Sequence, residues 1–143
     1  MSRYLYLAGG VPILLLGIVH VLATPLRRDT PRGLSPADAA LIDAMSTTTV
    51  RLTRRMDLWR GWVGFNLSHG LGAILFGVLT LLLARSESSF TTQAPMFGPL
   101  AVVVSAVYLG LAVKYWFFAP IIGCAASFAL FLLSWALFQF GGR

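Results

Sequence analysis

Four long apolar runs, separated by polar segments, dominate the pattern of the chain. They cover residues 4–23, 62–84, 100–118 and 121–140. Each is long enough to be a transmembrane helix, because about 20 apolar residues cross the roughly 30 Å hydrocarbon core of a bilayer. The pattern therefore predicts an all-α fold, an antiparallel four-helix transmembrane bundle that forms a single domain over residues 1–143.

The first connection, residues 25–61, is the longest. Within it, Ser35 followed by Pro36 is typical of a helix start and predicts a short helix over residues 36–45. Residues 50–62 mix apolar positions with arginines, as an amphipathic helix at a membrane interface does. We therefore expect amphipathic helical structure on the cytoplasmic side, between the first and second spans.

The two later connections are shorter. Residues 85–99 are rich in serine and threonine and close with two prolines and a glycine, a composition that predicts a polar loop. Residues 119–120 predict a minimal hairpin, since proline suits the first turn of the helix that follows. Four spans and these connections leave no room for a soluble catalytic domain.

Composition supports a membrane protein. Of the 143 residues, 57% are hydrophobic and 11% charged, and the mean hydropathy of +0.80 is too high for a water-soluble globule. The net charge of +6 does not indicate nucleic acid, because the basic residues flank the apolar runs without forming an aromatic-lined groove. The single cysteine excludes an intrachain disulfide or a cysteine-based metal cage. Membrane lipids are the expected partners, and no metal site is expected.

Lysine and arginine are unevenly divided between the two sides of the predicted bundle. The first and third connections with their flanks hold eight of these residues, and the opposite side holds three. By the positive-inside rule, the first long connection lies in the cytoplasm and both termini lie outside.

Six polar side chains fall at similar depth when positions are counted at 1.5 Å per residue from the middle of each run. All lie about 5 to 10 Å toward the side of the first long connection. Because polar groups are costly in lipid, we expect them to face one another inside the bundle. The six are His20, Asn66, His69, Lys114, Cys124 and Ser127.

The first interpretation of this layer is a pocket for a lipophilic small molecule such as a lipid, an isoprenoid or a sterol-like compound, with no cofactor. His69 and His20 would move a proton while Asn66 orients the ligand, as in an isomerase- or cyclase-like acid/base enzyme. Asp57 and Arg60 would border the mouth of the pocket. The expected ligand-binding residues are Trp59, Trp62, Ser68, Lys114, Tyr115, Cys124 and Ser127.

Two other interpretations come from different classes of protein. His20 and His69 could be the axial ligands of one b-type haem, with Lys114 or Arg60 near its propionates. Alternatively, the protein is a non-enzymatic accessory subunit or scaffold, in which the layer only holds helices together. Self-association into a homo-oligomer would also fit lines of small residues on the helices.

Each residue of the layer also has a plainer explanation. Histidine and asparagine serve as hydrogen bonds between helices. Lys114 lies near the end of its span and can extend to the headgroups. Cys124 can be a small buried apolar residue, and Asp57 and Arg60 an exposed ion pair worth little.

Two motifs carry a resemblance that covers nearly the whole length. WRGWVGFNLSHG at residues 59–70, with YWFFAP at 115–120, resembles a family of small four-span bacterial integral membrane proteins without an established activity. The resemblance implies a multi-pass protein of the bacterial inner (plasma) membrane. It marks four positions for testing: Trp59, Asn66, Ser68 and His69.

The layout of four spans is more distantly similar to that of sterol-isomerase-related and DoxX-like membrane proteins. The isomerase pattern combines intramembrane carboxylates with histidine. The apolar runs of this chain contain neither Asp nor Glu, so the resemblance is one of layout and does not imply that particular reaction.

Overall fold

The computed structural model describes residues 1–141, over which the chain forms five α-helices and one two-stranded hairpin. Four of these helices are long and apolar enough to cross a membrane, as the four apolar runs predicted. The elements in chain order are α1 (Ser2–Ala23), α2 (Ala39–Thr47), β1 (Thr49–Val50), β2 (Thr53–Asp57), α3 (Leu58–Leu83), α4 (Glu87–Tyr115) and α5 (Phe118–Phe140). The hairpin predicted at residues 119–120 is wrong, because α5 begins at Phe118 and the break after α4 lies at residues 116–117.

Contacts within the chain divide it into two compact units. Unit 2 is Gly17–Gly72, and unit 1 combines Met1–Leu16 with the chain from Ala73 onward. The division passes through α1 and α3, so each of these helices contributes one segment to each unit.

The core of unit 1 is aromatic. Phe131 on α5 is fully buried, and its ring meets Tyr6 at 5.1 Å and Phe76 at 5.9 Å between centroids, both edge-on. Phe90 on α4 packs on Tyr6 and, edge-on, on Phe138 of α5. Edge-to-face arrangements of this kind add to the stability that ring packing provides. Segments of α1, α3, α4 and α5 therefore share one core.

Glycine allows two helices of unit 1 to approach closely. A Cβ atom added at Gly77 on α3 would lie 2.6 Å from Cβ and 2.9 Å from Cα of Leu14 on α1. Backbone cannot move aside as a flexible side chain can, so any larger residue at this position must push the helices apart.

Unit 2 has a small core of its own. Ile42 and Met45 on α2 pack against the buried Trp59 in the first turn of α3, with Trp62 and Val63 alongside. These contacts hold the connection between α1 and α3 against the start of α3.

The connection differs from its predicted course. Helix α2 begins at Ala39, where Asp38 caps it by accepting a hydrogen bond from Ala40 N–H at 2.9 Å. Ser35 is not the cap, because its hydroxyl instead accepts a bond from Arg32 N–H at 2.7 Å. The predicted start was therefore about three residues early.

The interfacial helix predicted over residues 50–62 is wrong for most of its length. β1 and β2 pair in antiparallel register, with Thr49 opposite Asp57 and Val50 opposite Thr53, and α3 follows directly at Leu58. Threonine and valine are stiff at the first side-chain torsion and favour strands, which outweighs the amphipathic pattern over this short stretch.

The loop predicted over residues 85–99 is also wrong, since helix α4 begins at Glu87. The hydroxyls of Thr91 and Thr92 donate to the carbonyls of Glu87 and Ser88, four residues earlier, and so keep these polar residues within the helix. Pro95 and Pro99 both lie inside α4. Apolar helices tolerate proline when neighbouring groups satisfy the backbone carbonyls that a proline leaves unpaired.

Candidate functional site

The two histidines of the chain lie in unit 2, on facing segments of α1 and α3. His20 is in the last turn of α1, and Asn66 and His69 are one turn apart on α3. Gly70 brings the helices together, since a Cβ atom at this position would lie 2.6 Å from Cγ2 of Val21 and 3.2 Å from the carbonyl oxygen of Gly17. The close approach allows short polar side chains to meet.

A hydrogen-bonded chain links the two helices. Nε2 of His20 lies 3.1 Å from Oδ1 of Asn66, and Nδ2 of Asn66 donates to the carbonyl of Trp62 at 2.8 Å. Because the amide oxygen can only accept, Nε2 of His20 carries the hydrogen, and Nδ1 is the nitrogen of the neutral ring that can accept a proton. Asn66 thereby sets the tautomer of His20.

His69 completes the cluster. Its ring meets that of His20 edge-on, with 4.9 Å between centroids and 62° between planes, and stacks on Phe65 at 6.2 Å. We call His20, Asn66 and His69 the histidine cluster. Thr24 donates to the carbonyl of His20 at 2.8 Å and so supports the last turn of α1.

The histidine cluster combines a buried amide with two partly exposed imidazole rings. Asn66 is only 6% exposed, whereas both imidazoles are intermediate in burial. Phe65, which stacks on His69, is 69% exposed. A ligand lying along this face of α3 could therefore reach both imidazole rings without displacing Asn66.

The other predicted residues of unit 2 serve varied structural roles. Trp59 is buried in the small core, next to Trp62 at 5.6 Å between ring centroids. Ser68 is exposed, and its hydroxyl donates to the carbonyl of Phe65 on its own helix. Asp57 accepts a bond from the backbone N–H of Arg60 at 2.8 Å, in the manner of a helix cap.

The remaining predicted residues lie in unit 1. Lys114 and Tyr115 are exposed in the last turn of α4, with the Lys114 ammonium 5.1 Å from the centre of the Tyr115 ring. Cys124 and Ser127 on α5 are buried, and Ser127 Oγ has no hydrogen-bond partner within the described chain. A single layer formed by all six polar side chains stays a prediction.

Comparison with known proteins leaves the site to be interpreted from its own chemistry. The chain matches no family model, no curated protein and no solved structure. The resemblance to small four-span bacterial proteins therefore stays a prediction that rests on the two motifs.

The bis-histidine haem stays a prediction, and the two rings of the histidine cluster would have to separate to admit it. Axial imidazoles bind opposite faces of the iron, with the macrocycle between them. Here the rings of His20 and His69 are in direct contact, and the Nε2 hydrogen of His20 is directed to Asn66. Over residues 1–141, no group of three or more His, Cys, Asp or Glu side chains could hold a metal ion.

Several residues of this region were not predicted from the sequence. Phe65 and Thr24 flank the histidine cluster, and Gly70 sets the distance between its helices. The spacing of four between Phe65 and His69 was a usable signal for a contact on one helix face. The contact between His20 and His69 required knowing how the two helices pack.

Proposed function

We propose that the protein is a multi-pass membrane protein that binds a lipophilic small molecule at the histidine cluster. The observation that carries the proposal is the hydrogen bond from His20 to Asn66, with the His69 ring in edge contact and both imidazoles partly exposed. Ionisable groups within apolar helices are rare because they are costly in lipid, and they mark functional sites by default.

The expected ligand is a lipid, isoprenoid or sterol-like compound with one hydrogen-bonding group. An apolar body would lie along the exposed face of α3 near Phe65, where aromatic surface is open. The polar group would pair with an imidazole, which offers both a donor and an acceptor when neutral. Few precisely placed polar groups on an apolar surface are typical of small-molecule sites.

The same cluster has the elements of acid/base chemistry. Nδ1 of His20 can accept a proton, and His69 lies close enough to exchange one with a ligand bound against the exposed edges of the two rings. α1, α3 and α5 contain no carboxylate that would stabilise an imidazolium or a carbocation. Ligand binding is therefore the primary proposal, and an isomerase- or cyclase-like reaction on the bound ligand is the second.

The proposal includes a membrane arrangement. The four apolar helices would cross the bacterial plasma membrane as an antiparallel bundle, with residues 25–61 in the cytoplasm and both termini outside. The excess of lysine and arginine on the side of the first and third connections supports this orientation.

The test is mass spectrometry of small molecules that co-purify with the full chain in detergent. We expect a bound lipophilic compound whose amount falls roughly tenfold in His69→Leu and in Asn66→Leu, as loss of a good hydrogen bond implies. Ser105→Ala is the matched control, because its hydroxyl is buried in α4 and bonds only to its own helix.

Equal amounts of every extracted lipid in all three variants and the parent chain would overturn the proposal. The histidine cluster would then act only to hold α1 and α3 together, as in an accessory or scaffold protein.

A further inference from the structure

A second site candidate lies where α1 ends and α3 begins. An open depression of about 500 Å³ is lined by residues that follow α1 and residues of the first turn of α3. We call it the basic depression. Its lining residues are Leu26, Arg27, Arg28, Asp29, Trp59 and Arg60.

The basic depression carries an excess of positive charge. Three arginines line it against one aspartate, and Arg27 holds that aspartate in a two-point ion pair, with bonds of 3.1 and 3.0 Å. Across the described chain, neither Arg28 nor Arg60 is within ion-pair distance of a carboxylate. Two guanidinium groups are thus left to bind an outside anion.

The segment that follows α1 is held against the helix end by two hydrogen bonds, one from a backbone N–H and one from the Arg32 side chain. Leu34 N–H donates to the carbonyl of Ala23 at 3.0 Å, and Arg32 donates to the carbonyl of Leu22, so the segment after α1 folds back on the helix end. Trp59 is only 5% exposed and is fixed by the small core of unit 2. The backbone on both sides of the depression is therefore fixed by contacts within unit 2.

The position of the depression favours a lipid over a soluble anion. It lies at the ends of two helices that are apolar enough to span a membrane, where headgroups are found. Apolar surface adjoins the arginines, since Leu26 is 57% and Leu58 41% exposed. Guanidinium groups match the geometry of phosphate oxygens, and the neighbouring leucines match acyl chains.

We infer that the basic depression binds the phosphate group of an anionic phospholipid, with Arg28 and Arg60 as the main contacts. This inference does not depend on the proposed function of the histidine cluster. Arg60 and His69 are nine residues apart on α3, or about 14 Å along the helix axis, so the two sites can be altered separately.

The experiment is native mass spectrometry of the detergent-solubilised full chain titrated with phosphatidylglycerol or phosphatidylcholine. We expect the parent chain to bind phosphatidylglycerol more tightly than phosphatidylcholine. The double variant R28Q/R60Q should lose this preference, with affinity falling roughly tenfold for each charged contact removed.

Two further variants separate a specific site from general charge. R54Q/R55Q removes the same charge from exposed arginines of β2 outside the depression and should bind as the parent does. R28K/R60K keeps the charge and should retain part of the preference for phosphatidylglycerol. That result would show that substitution at these two positions leaves the chain folded and that charge contributes to binding.

Three outcomes would overturn the inference. An equal loss in both glutamine variants would mean a diffuse charge effect, and no loss in either would mean that the depression binds no anionic lipid. Displacement of phosphatidylglycerol by inorganic pyrophosphate at equal concentration would assign the site to a soluble phosphate compound instead. A loss of lipophile in His69→Leu with phosphatidylglycerol preference intact would leave this inference standing.

Discussion

Units 1 and 2 pack their helices with different chemistry. In unit 1, the fully buried Phe131 fills the space between helices, and the polar contacts between helices run from a side chain to a backbone carbonyl, as from Ser134 to Ser2 at 2.8 Å. In unit 2, the contact between α1 and α3 is a hydrogen bond between two side chains, His20 and Asn66, with a second imidazole against it.

Helices α1 and α3 therefore meet differently in the two units. In unit 1 the two helices approach through Gly77 and Leu14, with Arg3 donating to the carbonyl of Ala84 at the helix end. In unit 2 they are joined by a hydrogen bond between two side chains.

The difference bears on the proposal that unit 2 is the segment that binds a ligand. Apolar helices in a bilayer gain little from hydrophobic association, so close packing of the kind seen around Phe131 is sufficient to hold them together. Replacing such packing by imidazoles brings a desolvation cost with only a modest gain in helix association. The polar contact in unit 2 therefore supports the proposal that this segment binds a ligand.

The largest effect is expected from closing the space that glycine leaves in unit 1. Gly77→Ala places a methyl group 2.6 Å from Cβ of Leu14 and should lower the free energy of unfolding by about 2 kcal/mol, the middle of the range for overpacking. The measurement is the thermal unfolding midpoint of the detergent-solubilised chain.

Gly64→Ala is the control for this prediction, on the same helix. A Cβ at Gly64 meets nothing within 4 Å, so the change should stabilise the chain slightly, by up to about 1 kcal/mol, through helix propensity alone. Equal midpoints for the two variants would contradict the close packing of α1 on α3 in unit 1.

Much of this arrangement could be predicted from the sequence. Runs of about 20 apolar residues identify spans irrespective of tertiary contacts, because the bilayer sets the required length. Counting depth along the first and second runs placed His20, Asn66 and His69 at similar height, and these three do meet. Depth could be counted from the sequence because an α-helix advances by a fixed rise per residue, whereas the packing of one helix against another could not.

The parts that were mispredicted have a common physical cause. Residues 85–99 were predicted as a loop from their serines, threonines and prolines, yet the hydroxyls of Thr91 and Thr92 bond back to helix carbonyls. Residues 49–57 form a hairpin, in which backbone pairing between the adjacent strands β1 and β2 replaces the helix that the amphipathic pattern predicts. Composition does not reveal whether a polar group finds its hydrogen-bond partner within its own helix or strand pair.

The contact between His20 and Asn66 provides a prediction of intermediate size. A double-mutant cycle with His20→Leu and Asn66→Leu should give a coupling free energy of about 0.6 to 1.7 kcal/mol, the range for hydrogen bonds between membrane helices. The measurement is the unfolding midpoint of the two single variants, the double variant and the parent chain.

A cycle between Thr80→Val and Asn66→Leu is the matched control. The Thr80 hydroxyl bonds to Gly77 on its own helix, so the two changes should be additive within about 0.5 kcal/mol. A coupling near zero for His20 with Asn66 would mean that their bond does not contribute to holding α1 and α3 together.

The smallest effect is expected at Ser68, which lies next to the histidine cluster in sequence but is exposed. Its hydroxyl donates to the carbonyl of Phe65 at 2.9 Å, so Ser68→Ala should change stability by less than about 0.5 kcal/mol and leave the co-purified lipophile unchanged. Both are measured in the assays above. Loss of the lipophile in Ser68→Ala would instead mean that the polar group of the ligand bonds to Ser68 and not to the rings of His20 and His69. The polar contact in unit 2 would then need another explanation, and the distinction between the two units would concern packing alone.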